Sequence, residues 1–233
     1  GPPRRGRLDR GPVTLTDRLA EVRERISSAG GDPGTITICA VTKGHDVERA
    51  AEALAEGLVD LGENYAQELV AKAEALADAH GPTPRWHFIG RLQRNKVKLL
   101  APHVALWQSI DRPELGPLVA RHAPGAAVLV QVATTGEEGK GGCPTSEVPA
   151  LVGSLDDDGL DVRGLMTVGP TDPSVDPRPG FEAVRSLADS LGLHEVSMGM
   201  SADLEAAVAS GATIVRPGTA LFGPRRARER SGQ

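Results

Sequence analysis

Cysteine, aromatic residues and long apolar runs are all scarce in this chain, and each scarcity closes off a class of protein. Two cysteines in 233 residues cannot build the disulfide framework of a small secreted domain, so a reducing compartment is expected. Aromatic residues make up 3% of the chain, which leaves no stacking platform for single-stranded nucleic acid. No stretch of about 18 uninterrupted apolar residues occurs, so no membrane-spanning helix is expected. No charged-then-apolar leader opens the chain, and a soluble cytoplasmic protein is the expectation. The metal-binding spacings CxxC, HxH and HExxH are missing, as is the GxSxG of a nucleophile elbow. Neither a metal centre nor a serine nucleophile is therefore expected.

Charge is abundant but segregated. Residues 1–10 and 224–233 each carry +3, which leaves residues 11–223 at −11 within an overall −5. An acidic body repels a phosphate backbone, so nucleic acid is not an expected partner. The two ends are rich in Gly, Pro and Arg, and they are expected to be disordered basic tails over residues 1–12 and 224–233. The 39% hydrophobic content supplies one sizeable core. The length fits one or two domains of about 150 residues, or a single α/β barrel of roughly 250.

Short β-branched runs alternate with Ala- and Leu-rich helical stretches along the body. Residues 36–42, 58–61, 86–89, 105–110, 128–132, 162–168, 195–197 and 213–216 read as strands. Helices are expected at 47–56 and 66–79, near Lys96, Leu118 and Val148, through Val184, and from Asp203, with a short tail after the last strand. An amphipathic helix at 15–26 precedes the first strand and is expected to cover the bottom of the sheet. Eight βα units without a linker favour closure into a single (β/α)8 TIM-type barrel over 13–223, with that extra N-terminal helix. An open doubly wound sheet competes, because two of the strands have only three or four residues.

In a parallel barrel the chemistry sits at the carboxyl ends of the strands. Those positions are Lys43, Glu63 and Asn64, Gly90 and Arg91, Ser109, Thr134 and Thr135, Thr167 and Gly169, Met198 to Ser201, and Arg216 to Thr219. Lys43 is the most informative. Only five of the 26 basic residues are lysines, so a lysine at a buried strand end points to a need for a primary amine. Alternation places Cys39, Val41 and Lys43 on one face. If that face is the interior, desolvation disfavours the ammonium and produces an amine able to attack a carbonyl. A lysine snorkelling at a strand end, or paired with Glu63, is the competing explanation.

The last two strand ends offer a place for a phosphate. Ser201 is expected to N-cap the helix carrying Asp203, exposing backbone N–H groups to an anion. Gly218 allows close backbone approach, and Thr219 adds a hydroxyl. Arg216, aimed inward, would be a fixed hydrogen-bond donor. Taken alone, such residues more commonly serve ordinary capping and turn chemistry. Taken together, though, amine, anion cup and inward cation match pyridoxal 5′-phosphate (PLP), with its aldehyde, phosphate and pyridine nitrogen. A guanidinium donor leaves that nitrogen unprotonated, so a weak electron sink is expected.

Several segments carry a resemblance. They are Ala40-Val41-Thr42-Lys43, Leu61-Gly62-Glu63-Asn64-Tyr65, Trp86 to Gly90 continuing to Leu92-Gln93-Arg94-Asn95-Lys96, and Gly136-Glu137-Glu138-Gly139-Lys140. Further on come Gly164-Leu165-Met166-Thr167, Ser197-Met198-Gly199-Met200-Ser201 with Asp203, and Arg216-Pro217-Gly218-Thr219 ending at Phe222-Gly223. In this order they resemble the pyridoxal phosphate homeostasis proteins, whose barrel is similar to the N-terminal domain of alanine racemase. The resemblance implies a PLP-binding barrel with a Schiff base on Lys43. It also implies that Asn64, Met200, Ser201, Arg216, Gly218 and Thr219 surround the cofactor, with the phosphate at Ser201, Gly218 and Thr219 and the pyridine nitrogen at Arg216. Such proteins act as carriers or regulators of the PLP pool with little or no turnover, and PLP-dependent apo-enzymes are the implied recipients. A small PLP-dependent amino-acid racemase is the alternative, and a sugar-phosphate aldolase using Lys43 a more distant one.

Racemase chemistry wants an acid/base tyrosine opposed to the lysine, and the only tyrosine here is Tyr65, expected to pack. The sequence departs from the family at His45, where a second lysine is usual, and at Pro217, which removes a backbone donor beside the phosphate. His45 reads equally well as a capping or solvated residue. Cys39 is expected in the core and Cys143 in an exposed, oxidisable loop. Residues 136–142 resemble a P-loop but lack its first glycine and its Ser/Thr, so they read as a mobile loop bearing Lys140. His87 reads as a satisfied core histidine, and a monomer is expected.

Overall fold

The computed structural model describes residues 13–77, 81–137 and 139–224. The expected basic tails lie outside them, apart from residue 224. Helix α1 (Leu15–Ser28) begins at a capping box in which Thr14 and Asp17 satisfy each other's backbone N–H groups. Its Leu15, Leu19, Val22 and Ile26 recur at helical spacing and are buried, which stabilises by roughly 1.5–3 kcal/mol for each side chain. The segments β1 (Thr37–Ile38) and β2 (Ala40–Val41) are two halves of one strand, interrupted at Cys39. Then follow α2 (Val47–Ala55), β3 (Asp60–Glu63), α3 (Ala66–Leu76), β4 (Arg85–Phe88), α4 (Val97–Leu100), β5 (Val104–Ile110), α5 (Gly116–His122) and β6 (Ala127–Ala133). A two-residue β7 (Cys143–Pro144) pairs with β6. The chain continues through α6 (Val148–Asp157), β8 (Asp161–Met166), α7 (Arg178–Ser190), β9 (Glu195–Ser197), α8 (Leu204–Ala209), β10 (Ile214–Val215) and α9 (Thr219–Phe222).

All strand pairings are parallel. The order runs β1, β10, β9, β8, β6, β5, β4, β3, β2, so the strand split into β1 and β2 touches both β10 and β3. The sheet therefore closes into the eight-stranded barrel. Period-two alternation sorts its side chains. Ile38, Ala40, Leu61, Trp107, Val130 and Val196 belong to the large cluster shared with the helices. Cys39, Leu106, Ala127, Leu129, Met166 and Ile214 fill the interior.

Helix α1 does not cover the bottom. It packs on α8 and α9, in the outer layer. Its apolar stripe needs an apolar partner, and the floor of the barrel is lined instead by polar and charged groups including Asp60, Arg85, His87 and Glu195. The second strand of the barrel, β3, starts two residues later than expected, at Asp60. Leu58 is buried by packing under α2, with its N–H on Ala53 O, so its burial reports loop packing and not a ladder position. Where a short tail was expected, Thr219–Phe222 forms α9.

The turn after β2, which carries Lys43, is clamped from behind. Glu63 ends β3 on the outward face and is fully buried; its Oε1 accepts from Thr42 Oγ1 at 2.6 Å and from Lys72 Nζ on α3. Lys72 Nζ also donates to Thr42 O at 2.8 Å, and Glu68 Oε2 accepts from Gly44 N at 2.9 Å. The residues on both sides of Lys43 are thereby held by α3 and β3. Burial raises the Glu63 pKa, and Lys72 is the main force against that rise. Removing one partner of a buried pair leaves an uncompensated charge. Lys72→Met should therefore cost about 3–5 kcal/mol in denaturant unfolding, with Lys72→Met/Glu63→Gln recovering most of it. A single-variant loss below about 1 kcal/mol would show that the pair does not hold the turn.

Candidate functional site

Strand pairing decides what surrounds Lys43. Val41 aligns with Gly62, so continuing that register by two residues puts Asn64 alongside Lys43. On the other side, Val41 N donates to Pro217 O at 3.0 Å, which sets Gly218 and Thr219 next to the lysine turn. A cleft of about 220 Å³ results, lined by Val41, Lys43, His45, Met200, Ser201, Ala202, Gly218 and Thr219. Lys43 is half-buried there. Five of the seven residues expected at a cofactor thus share one cleft. Asn64 and Arg216 do not line it; Asn64 stands beside it and Arg216 lies in the barrel interior.

Ser201 does a different job from the one expected. The N-cap of α8 is Asp203, whose Oδ1 accepts from Met200 N at 2.6 Å. Ser201 Oγ instead accepts from Gly218 N at 3.2 Å and Ala220 N at 3.0 Å, joining the loop after β9 to the first turn of α9. The loop falls one turn short of α8, so its hydroxyl meets the N–H groups of the neighbouring segment. Arg25 on α1 braces the same loop, donating to Ser201 O at 2.8 Å while paired with Glu205. An anion replacing the hydroxyl would find two convergent backbone donors.

Arg216 points into the barrel and is 1% exposed. Its Nη1 donates to Ser197 Oγ and its Nη2 to Thr167 O, each at 2.7 Å. Burial brings its pKa down to about 10, so it stays a cation at neutral pH. Asn64 Oδ1 is buried and finds no hydrogen-bond partner among the described residues. Its backbone is fixed by Gly90, where a Cβ would lie 2.0 Å from Asn64 O. Ser197 and Val41 were not expected at the site: Val41 lies two residues before Lys43, a spacing that alternation exposes, whereas Ser197 reaches Arg216 from the neighbouring strand β9, which no spacing within one strand reveals.

Other expectations fare unevenly. Tyr65 is 59% exposed and does not pack. Cys143 is buried in β7, and burial raises its thiol pKa, so it is not the exposed, oxidisable residue expected. Lys140 stitches its loop down, donating to Gly169 O at 2.5 Å and pairing with Glu137 at 2.9 Å. Cys39 is core, as expected, and His87 is a satisfied core histidine, bonded through both ring nitrogens. His45 neither caps α2, which Asp46 does, nor stands in bulk solvent: its ring lies 5.2 Å from that of Phe222. A larger cavity of about 800 Å³ lies between the ends of β6 and β8 and the Pro-rich segment before α7. Its charged lining is acidic, Glu137, Asp172 and Asp176, so it repels a phosphate. Among the described residues no cluster of His, Cys, Asp and Glu suits a metal ion, and no helix is long and apolar enough to cross a membrane.

The alanine racemase N-terminal domain family matches residues 15–226. The pyridoxal phosphate homeostasis protein of Pseudomonas aeruginosa is 41% identical over 224 residues, 91% of this chain and 96% of that one. Its namesake from Deinococcus radiodurans is 41% identical over 209 residues, 88% and 97% of the two chains. Among solved structures, PipY of Synechococcus elongatus with PLP bound superposes with a TM-score of 0.79 at 31% identity, over 90% of this chain and 100% of that one. D-threo-3-hydroxyaspartate dehydratase from Delftia, at 18% identity and a TM-score of 0.66, shares the fold alone. With full-length relatives at this level of identity on the same barrel, the chain belongs to the pyridoxal phosphate homeostasis protein family.

Proposed function

We propose that this protein holds PLP covalently through Lys43 Nζ and serves as a carrier or regulator of the PLP pool, with little or no turnover. The observation that carries this reading is the cleft itself: a lysine amine on one wall and, on the other, Ser201, Gly218 and Thr219 with two backbone N–H groups gathered on a single hydroxyl. Those features suit an aldehyde that also carries a phosphate. The orphaned Asn64 Oδ1 beside the cleft and the buried Arg216 cation are further groups such a ligand would satisfy. The bound cofactor would supply an aldehyde carbon and a pyridine ring.

The protein residues then divide the work. The clamped turn orients Lys43, while Ser201, Gly218 and Thr219 hold the phosphate. Met200 closes the wall between them. Arg216 donates to the pyridine nitrogen and, having no proton acceptor of its own, leaves it unprotonated. That electronic state disfavours carbanion chemistry, in line with a carrier. Racemisation also needs two opposed acid/base groups. Besides Lys43, the titratable side chain lining the cleft is His45, two residues further along the same turn, so the pair does not face each other across a substrate. Pro217 costs the phosphate one backbone donor, and Gly218 and Ala220 still provide theirs. The relatives are named for homeostasis and not for a reaction, which supports the same reading. PLP-dependent apo-enzymes are the proposed recipients.

Borohydride treatment of the PLP-incubated protein should fix a pyridoxyl group on Lys43, read by visible absorbance and peptide mass; a protein left colourless and unlabelled would contradict the reading. Lys43→Ala should lose the covalent link while retaining weaker binding through the phosphate contacts. Arg216→Gln should weaken PLP binding about tenfold or more in equilibrium titration, since a hydrogen bond from a charged donor contributes about 1.5–3 kcal/mol, and unchanged affinity would remove its role. Chiral assays on alanine and serine should show no turnover dependent on Lys43; such turnover would favour the racemase instead.

A further inference from the structure

A line of hydrogen bonds runs inside the barrel from mouth to floor. Arg216 Nη1 donates to Ser197 Oγ at 2.7 Å, Ser197 Oγ donates to Gln108 Oε1 at 2.6 Å, and Gln108 Nε2 meets His87 Nδ1 at 2.7 Å. His87 Nε2 meets Asp60 Oδ1 at 3.0 Å, and Asp60 accepts two bonds from Arg85, at 2.9 and 2.6 Å. Arg216, Ser197, Gln108, His87 and Asp60 are all buried. The ends dictate the direction, because a guanidinium only donates and an ionised carboxylate only accepts. Each member between them therefore takes one bond and passes one on. In this arrangement His87 carries its proton on Nε2, and Nδ1 accepts from the Gln108 amide.

A second proton, on Nδ1, would set two donors against each other at 2.7 Å. A half-turn of the Gln108 amide relieves the conflict by offering Oε1 to His87 and Nε2 to Ser197. Ser197 Oγ then accepts from both Gln108 and Arg216, and its own proton leaves the line. We propose that Gln108 and Ser197 are positioning residues for Arg216, and that a proton gained or lost at His87 turns the Gln108 amide and so changes how firmly Arg216 is held. Only the final link, from Arg216 to cofactor affinity, rests on the PLP reading.

The groups around His87 make it responsive. Asp60 faces it from β3 with Arg85 behind, Cys39 from the break between β1 and β2, and Gln108 from β5. Arg163 of β8 and Glu195 of β9 share with it the floor cavity of about 310 Å³. Burial and the Gln108 amide on Nδ1 favour the singly protonated imidazole of this arrangement, while Asp60 on Nε2 and the neighbouring Cys39 raise its pKa. His87 lines the floor cavity, so its proton can exchange without passing the cleft that holds Lys43.

NMR titration of histidine ¹⁵N signals in the PLP-free protein tests the line. Ser197→Ala removes the hydroxyl proton that holds Gln108 Oε1, so the half-turn becomes easier and the His87 midpoint should rise by roughly one pH unit. Ser197→Thr, which keeps the hydroxyl, should return it to the parent value. Gln108→Glu accepts at both ends and should raise the midpoint further; it serves if Ser197→Ala fails to fold. A midpoint that neither Ser197→Ala nor Gln108→Glu moves overturns the proposal. With PLP, the parent's affinity should step at the His87 midpoint and Gln108→Leu should lose that step. Parallel pH profiles in the two proteins overturn the link to Arg216. A parent protein that binds no PLP at any pH would instead overturn the cofactor reading, with the histidine titration still deciding the line.

Discussion

The strand from Thr37 to Val41 pairs with β10 through its first half and with β3 through its second, and the barrel depends on that handover. The same register delivers Lys43 to a rim where Asn64 stands on one side and Gly218 and Thr219 on the other. The Lys43 cleft and fold closure are thus one constraint. A one-residue slip would turn Cys39 and Val41 outward and carry Lys43 with them, so the hydrophobic sorting that selects the register also places the amine.

Polar groups within the barrel follow a second rule. The interior is not uniformly oily: beside Cys39, Leu106, Leu129 and Met166 runs a buried polar line ending in Arg216. A buried guanidinium is tolerable only when its donors are satisfied, and Ser197 and Thr167 do that here. The outward Glu63–Lys72 pair obeys the same logic on the other face of the sheet. One network holds the amine's turn and the other holds the cation, so the groups proposed to grip opposite parts of PLP are each pre-oriented by buried polar contacts.

Much of this was legible in the sequence, and the failures share a cause. Alternation and length marked all eight strands, and the rim positions of Lys43, Ser201, Gly218 and Thr219 followed from their ends. What could not be read was which partner a polar side chain would choose in three dimensions. Ser201 and Asp203 both suit an N-cap by type, and only the reach of the β9 loop gives the cap of α8 to Asp203 and the first turn of α9 to Ser201. Tyr65 and Cys143 were misjudged because residue type was used where only packing decides. Helix α1 looked like a plug because its stripe is apolar, while the charged floor that rejects it is assembled from four separate strands. Gln108 attracted no notice at all, since nothing in its local sequence shows that it lies between a histidine and a serine from distant strands.

A crystal structure of the protein grown with PLP decides whether the cofactor occupies the proposed cleft between Lys43 and the Ser201–Gly218–Thr219 wall. Continuous electron density should run from Lys43 Nζ into the cofactor, with the phosphate against Ser201, Gly218 and Thr219 and the ring nitrogen toward Arg216. Density for PLP in the larger cavity before α7, or none joined to Lys43, would contradict the proposed site.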